Sequence, residues 1–208
     1  MLSRQAHLNL FTSYQLPAVN VTAECDCRDF VTPAKACGLP PFSLLLHGIA
    51  KASMEVENFR HRLFEGQVQR VERLTVSYTV VGADENLNFS TLPFDEDWPT
   101  FLSHYLADRE EARTAASLRL APMDHRAYLF VTCLPWLRFT SIQHPVARFA
   151  DASIPNVAVG RFSIAAGRVT FPLSVQAHHG LVDGLHIHQL ISKIEAMMTK
   201  AAREIGRD

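Results

Sequence analysis

Between residues 169 and 191 the sequence changes from the period of a strand to that of a helix. Apolar residues occupy every second position over 169–177, which predicts a β-strand with one buried face. After Gly184 the apolar residues recur at helical spacing. The polar loop between these elements holds His178 and His179 beside the free backbone donors of a helix start, where an imidazole can act as a base near neutral pH. This stretch therefore predicts a site for proton transfer.

Length and composition restrict the class of protein. The 208 residues, 48% of them hydrophobic, predict a single domain over 1–208 with a sizeable core. A net charge of −1 gives no indication of nucleic acid or an acidic membrane as a partner. The apolar runs are too short to span a bilayer, and the N-terminus has no apolar signal segment. We therefore expect a cytoplasmic protein that binds neither nucleic acid nor membranes.

The four cysteines do not follow the spacing of a disulfide scaffold. Cys25 and Cys27 fall on one face of an alternating segment. Two reduced thiols in a cytosolic core explain this pair better than a metal site or a redox pair does.

Hydrophobic periodicity predicts several helices and strands in addition to those around the histidines. Ala165, Ala166 and Gly167 predict a hairpin turn between two strands. Long helices mixed with consecutive hairpin strands favour an α+β fold with helices packed on one sheet. The predicted helices cover 5–11, 42–56 and 97–116. The predicted strands cover 16–30, 59–63, 67–81, 88–92, 127–132, 154–164 and 168–177. The segments 59–63 and 67–81 together are predicted to form two or three strands.

Three segments resemble the chloramphenicol acetyltransferase family. These are PLSVQAHHGLVDGLH at 172–186, with the core pattern H-H-x-x-x-D-G, LPWLRFTS at 134–141, and Arg4-x-x-His7. The core pattern also marks the acyltransferase core of 2-oxoacid dehydrogenases and the condensation domains of peptide synthetases. The resemblance is strongest in the C-terminal part of the chain and weak between about residues 25 and 85. It implies a two-layer sandwich with a mixed β-sheet and helices on one side, assembled as a homotrimer with sites at the subunit interfaces.

The resemblance also implies catalytic roles. His179, the second histidine of the pair, would be the general base that takes the proton of an acceptor hydroxyl, while His178 would be structural. Thr132 stands where the family has a serine whose hydroxyl binds the oxyanion, and threonine keeps that hydroxyl but restricts χ1. The alternatives are a histidine that caps a strand end and an ordinary strand threonine.

Asp183 allows three interpretations. It could orient the imidazole of His179 as in a catalytic triad, or it could cap the helix that follows. The resemblance implies instead that it forms a partly buried structural ion pair with Arg4, so that loss of one partner would leave a costly lone charge.

On the family pattern an acceptor pocket would be formed by Phe11, Phe89, Ile142, His144 and Asn156. Phe11 lacks the hydroxyl of the family's tyrosine, His144 and Asn156 replace apolar residues, and Ala158 stands where a threonine is expected. Such changes alter which hydroxylated molecule the site accepts. A small-molecule alcohol is therefore expected, with chloramphenicol or a similar antibiotic as the first candidate.

Trp136, Arg161 and Phe162 fall where the family binds coenzyme A, so acetyl-CoA is the expected co-substrate. An arginine suits a phosphate and an aromatic ring suits adenine, although an exposed Arg and a buried Phe are also ordinary. No metal is expected, because His186 and His188 are two residues apart on a helix and point away from each other. The charged run 108–113 is expected to face water.

Three functions remain open at this level. The first is an acetyl-CoA-dependent O-acetyltransferase with direct transfer through a tetrahedral intermediate, and therefore an antibiotic-resistance enzyme if chloramphenicol is the acceptor. The second is an acyltransferase of the same fold with another acceptor alcohol or a longer acyl donor. The third is a non-catalytic oligomeric relative.

Overall fold

A mixed β-sheet with helices on one face forms the framework of the molecule. The computed structural model describes residues 4–120, 125–146 and 152–206. This architecture confirms the predicted α+β class. No helix within these ranges is both long and apolar enough to cross a bilayer.

The helices and strands have the following bounds. The helices are α1 (Gln5–Thr12), α2 (Val31–Ala36), α3 (Pro41–Glu55), α4 (Trp98–Thr114) and α5 (Gly184–Ile205), with a 3-10 turn at Glu57–Arg60. The strands are β1 (Ala18–Arg28), β2 (His61–Phe64), β3 (Gln67–Arg70), β4 (Thr75–Val81), β5 (Leu87–Pro93), β6 (Tyr128–Cys133), β7 (Asn156–Val159), β8 (Ser163–Ala165) and β9 (Arg168–His178).

The main sheet has the strand order β1-β9-β7-β6-β4-β5, and β8 pairs with β9 next to β7. β6 runs parallel to both β4 and β7, and the other ladders are antiparallel. β2 and β3 form a separate hairpin. The mixed sheet implied by the family resemblance is therefore present.

The period-two alternation of β9 separates the two faces of this sheet. Val169, Phe171, Leu173 and Val175 are fully buried in the core beneath the helices. The residues between them point to the opposite face of the sheet, because successive side chains of a strand point to opposite sides. We call this face, on the side away from the helices, the open face. On the open face Ser174 donates a hydrogen bond to Asn20 Oδ1 at 2.8 Å and accepts one from Thr22 at 2.9 Å. The open face is thus polar along β1 and β9.

Two predicted strands are shorter than the sequence suggests. The segment predicted as one strand over 154–164 is interrupted at Gly160, where β7 ends and β8 has not begun. An added Cβ at Gly160 would lie 2.8 Å from the carbonyl oxygen of Leu137, so a side chain does not fit. The predicted strand at 59–63 starts as the 3-10 turn and becomes extended only at His61.

One turn was predicted from the sequence and one short helix was not. The hairpin turn is confirmed, since Ala166 and Gly167 have φ angles of 49° and 72° between β8 and β9, as a type I′ turn requires. Helix α2 was not predicted. Asp29 supports it by accepting from the backbone N–H groups of Val31 and Thr32 at 2.8 and 3.1 Å.

Arg62 of β2 is a buried cation that ties the small hairpin to the main sheet. Its guanidinium donates to the carbonyl oxygens of Phe59, His61, Arg126 and Tyr128 at 2.7–2.9 Å. Burial lowers the pKa of Arg62 to about 9, and the four carbonyls supply the partners that a buried cation requires.

Candidate active site

The loop between β9 and α5 is fixed by a reciprocal helix cap. Asp183 Oδ1 accepts from the backbone N–H of Leu185 at 3.0 Å and of His186 at 3.4 Å. The backbone N–H of Asp183 donates to Nδ1 of His186 at 3.1 Å, which completes a capping box. His186 Nδ1 also lies 2.9 Å from Asp183 Oδ1, but a nitrogen that accepts from an amide has no proton to share in an ion pair. Burial lowers the pKa of His186, which agrees with a neutral ring.

The second carboxylate oxygen of Asp183 faces Arg4. Arg4 Nη1 lies 2.6 Å from Asp183 Oδ2, and Arg4 Nη2 donates to the carbonyl of His179 at 3.4 Å. Burial by itself would raise the pKa of Asp183, but the hydrogen bond from Arg4 and the nearby positive charges lower it overall. The side chain of Asp183 therefore forms the ion pair and the helix cap at the same time. None of these contacts of its carboxylate involves the imidazole of His179.

His179 is held by the loop rather than by a carboxylate. Its Nδ1 lies 3.1 Å from the carbonyl oxygen of Val182, which can only accept, so Nδ1 carries the proton and Nε2 keeps a free lone pair. The ring is stacked on Phe11 with the ring centroids 4.0 Å apart. The backbone N–H of His179 donates to the carbonyl of Pro17 at 2.7 Å. These contacts fix both the tautomer and the orientation of the ring.

His178 has different surroundings. Its side chain is buried, and Nδ1 accepts from the backbone N–H of Gly180 at 3.1 Å. Burial, with a smaller effect of His179, lowers the pKa of His178 to about 4. His178 is therefore neutral at pH 7 and serves the loop conformation.

Thr132 lies in a cavity of about 460 Å³ on the open face of the sheet. Three predicted acceptor-site residues, Phe89, His144 and Asn156, line the same cavity. Its apolar wall is completed by Leu87, Leu120, Phe130, Val131 and Pro145, and its remaining lining residues are Ser77, Tyr78 and Thr79. The structure thus brings four of the predicted site residues together.

The segment that carries His144 is clamped to the sheet by Gln176. The amide oxygen of Gln176 accepts from the backbone N–H of His144 at 3.0 Å, and its amide nitrogen donates to the carbonyl of His144 at 3.4 Å. Burial lowers the pKa of His144, which keeps the imidazole neutral. The cavity therefore holds a neutral polar ring where the resemblance implies an apolar residue.

Two predicted acceptor-site residues lie outside this cavity. Phe11 stacks on His179, just beyond the C-terminal end of β9, where β9 pairs with the start of β1. Ile142 lies on the segment that crosses the open face, and its carbonyl accepts from the side-chain amide of Asn20. Within one chain the predicted acceptor site is therefore divided.

A second cavity of about 510 Å³ contains all three residues predicted for the cofactor. Trp136, Arg161 and Phe162 line it together with Lys35 and Arg109, which the sequence analysis did not assign to a site. Lys35 belongs to the unpredicted helix α2. Arg109 follows Phe101 and Tyr105 at steps of four along α4, and this spacing could have placed it on the same face as those buried residues.

The expectation that the whole run 108–113 faces water was wrong for Ala112, which is buried in the core, and for Asp108. The side chain of Asp108 accepts from the backbone N–H of Thr91 at 2.7 Å and pairs with Arg119 at 2.7 Å. Glu110 and Arg113 do pair on the exposed surface. The run is therefore divided between an anchor to β5 and a solvated face.

The two cavities meet where the sheet opens between β4 and β6. The ladder between these strands ends at the pair Tyr78 and Val131. Beyond this pair, the backbone N–H of Cys133 donates to the hydroxyl oxygen of Thr79 at 3.3 Å instead of to a backbone carbonyl. Tyr78 and Thr79 line both cavities. A group that enters from the helix side can therefore reach the open face at Thr79, next to Thr132.

His179 and Thr132 of one chain are far apart. The register places Thr132 beside Ala158 and Ala158 beside Ser174, which is two strand spacings, or about 10 Å. His179 lies five residues further along β9, or about 16 Å. The two positions are thus about 19 Å apart, too far for both residues to contact one reacting carbonyl.

Solved acetyltransferases share this fold. A solved chloramphenicol acetyltransferase superposes with a TM-score of 0.83 at 22% identity, over 95% of this chain and 96% of its own. A probable dihydrolipoamide acetyltransferase from Listeria monocytogenes gives 0.68 at 16% identity, over 96% and 91%.

Sequence comparison identifies the family. The chloramphenicol acetyltransferase of Bacillus pumilus is 24% identical over 190 residues, which is 90% of this chain and 86% of its own length. Chloramphenicol acetyltransferase 3 of Escherichia coli is 24% identical over 197 residues, or 93% and 92%. The model of the chloramphenicol acetyltransferase family matches residues 1–195, so this chain belongs to that family.

We expect the Asp183→Asn variant to lose the ion pair while keeping an oxygen that can cap α5. Because both side chains retain some contact with solvent, the loss of unfolding free energy should be about 1–2 kcal/mol, less than for a fully buried pair. Urea denaturation of Asp183→Asn, Arg4→Gln and the double variant forms a double-mutant cycle. The double variant should lose less than the sum of the two single losses, and strict additivity would contradict the ion pair.

Acidification should reveal the neutral state of His178. Its pKa is about 4 in the folded chain, below the ordinary value near 6.5, so the unfolded chain binds more protons between these values. Stability is therefore expected to fall as the pH is lowered from about 6.5 to about 4. His178→Asn, which keeps an acceptor for the N–H of Gly180, should make the fall shallower, whereas His188→Asn on the exposed face of α5 should not. Equal slopes for all three chains would refute this assignment.

Proposed function

We propose that this chain is an acetyl-CoA-dependent O-acetyltransferase, a single acyltransferase domain that acetylates a hydroxyl of a small molecule. Chloramphenicol or a similar antibiotic is the first candidate acceptor, because the relatives from Bacillus pumilus and Escherichia coli are chloramphenicol acetyltransferases by name. The observation that carries the proposal is the state of His179, whose Nδ1–H is fixed on the carbonyl of Val182 and whose Nε2 is left as a base. Acetylation of an antibiotic's hydroxyl would make the protein a resistance enzyme.

The reaction requires few groups. The acceptor oxygen attacks the thioester carbonyl carbon, its proton moves to His179 Nε2, and the carbonyl π electrons move to the oxygen. The hydroxyl of Thr132 donates to the resulting oxyanion. When the tetrahedral intermediate collapses, the C–S bond breaks and the thiolate takes the proton back from His179. The thioester brings its own leaving group, so the acyl transfer itself needs no metal.

The two cavities provide the two approaches to this reaction. On the helix side Arg161, Lys35 and Arg109 supply positive charge for the phosphates of coenzyme A, and the rings of Trp136 and Phe162 suit adenine. The thioester then reaches the junction at Thr79. The acceptor enters from the open face beside Phe89 and Thr132.

A homotrimer accounts for the separation of His179 from Thr132. If the end of β9 of one subunit lies against the open-face cavity of the next, His179 meets Thr132 of its neighbour. Phe11 would enter the acceptor site with the imidazole on which it stacks. This arrangement reunites the two groups of predicted acceptor-site residues.

The composition of the cavity favours a second candidate for the acceptor. His144 and Asn156 place hydrogen-bonding groups in a largely apolar wall. A site with such groups discriminates strongly between acceptors that can bond to them and acceptors that cannot. An alcohol with additional polar groups, other than chloramphenicol, is therefore the alternative substrate.

We expect acetyl-CoA and a panel of hydroxylated compounds, headed by chloramphenicol, to give thiol release with the unaltered chain. His179→Ala should lower kcat by about 10²–10⁴-fold, because general-base assistance is lost. The thermal midpoint should remain close to that of the unaltered chain. His188→Ala is the matched control with an exposed histidine. Full turnover by His179→Ala would refute the mechanism, and activity with another alcohol but not chloramphenicol would select the alternative acceptor.

Co-expression of two inactive chains tests the shared site. His179→Ala and Thr132→Val are each expected to be inactive alone. In a mixed ring, one interface joins an intact His179 to an intact Thr132, so an equal mixture should recover roughly a quarter of the sites. Activity should appear only in the mixed oligomers separated by differential tags. Failure of mixed oligomers to regain turnover would contradict a site built from two subunits.

A further inference from the structure

We infer that Thr79 is a second hydrogen-bond donor to the oxyanion, beside Thr132. The inference rests on the proposed acyl transfer. In the parallel ladder of β4 and β6, Tyr78 lies opposite Val131, so the next residues along each strand, Thr79 and Thr132, are neighbours. Tyr78 and Val131 are both packed in the core on the helix side. The two threonine side chains therefore point together to the open face.

The hydrogen bond to Thr79 leaves its proton available. The backbone N–H of Cys133 donates to Thr79 Oγ1 at 3.3 Å, which uses one lone pair and fixes the oxygen beside Thr132. Among residues 4–120, 125–146 and 152–206 no acceptor takes the hydroxyl hydrogen of Thr79, and none takes that of Thr132. An amide that donates to a hydroxyl oxygen also polarises the O–H bond and makes it a better donor.

The position of Thr79 suits an oxygen that develops charge during transfer. Thr79 lines both cavities, so it lies where the thioester and the alcohol would meet. Neighbouring strands are about 4.8 Å apart, and two donors at this spacing can both reach one oxygen at about 2.8 Å. On the other side of Thr132 the paired residue is Ala158, which has no hydroxyl. Thr79 is thus the strand neighbour of Thr132 that can supply the second donor.

Thr79→Val tests this role, since valine keeps the shape and removes the hydroxyl. We expect kcat for acetyl transfer to fall about 10²-fold with KM for both substrates nearly unchanged, as for loss of one oxyanion donor. Thr79→Ser should keep kcat within the same order of magnitude. Thr170→Val, a threonine on the open face of β9 outside both cavities, is the matched control and should behave like the unaltered chain. Slow hydrolysis of acetyl-CoA passes through the same oxyanion, so thiol release without an acceptor gives a second readout.

The outcomes separate the two proposals. Unchanged kcat and unchanged hydrolysis in Thr79→Val would overturn the second donor while leaving acetyl transfer intact. An equal loss in Thr79→Ser and Thr79→Val would also overturn it, because the effect would then not depend on the hydroxyl. Absence of thiol release above the buffer rate by the unaltered chain, with every alcohol and with water, would refute acyl transfer and the second donor together.

Discussion

The carboxylate of Asp183 joins three parts of the chain, and the orientation of the His179 imidazole depends on it. One oxygen holds Arg4 at the start of α1, and the other holds the first turn of α5. The residue just before it, Val182, presents the carbonyl that fixes Nδ1 of His179. The imidazole therefore needs no carboxylate of its own, because the peptide carbonyl is held in place by the neighbouring ion pair and helix cap.

Successive side chains of a strand point to opposite faces of the sheet, so the core and the cavities are built from alternate residues. Leu173 and Val175 of β9 enter the core, and Ser174 and Gln176, which alternate with them, face the polar open side. On β4 the same rule sends Tyr78 into the core and Thr79 toward the cavities. The end of the ladder between β4 and β6 is also important, because the opening there connects the two sides of the sheet.

The sequence predicts most of the fold because its strands and long helices carry strong periodicity. It fails where a short element depends on a single polar contact, as in α2, or where a glycine is required by a distant backbone, as at Gly160. For the proposed site, the loop motif and the family pattern name candidate residues, but they do not show that Phe11 lies with His179 and apart from Phe89. Thr79 carries no motif, and only the strand register reveals it as the neighbour of Thr132.

The distance between His179 and the cavity of Phe89, His144 and Asn156 has an evolutionary consequence. His179 and its loop follow one end of the chain's longest ladder, while the walls of the cavity come from other strands and from loop segments. Substitutions in those walls therefore leave the imidazole and its support undisturbed. On the proposed function, selection could then change the acceptor while the loop of His179 stays the same.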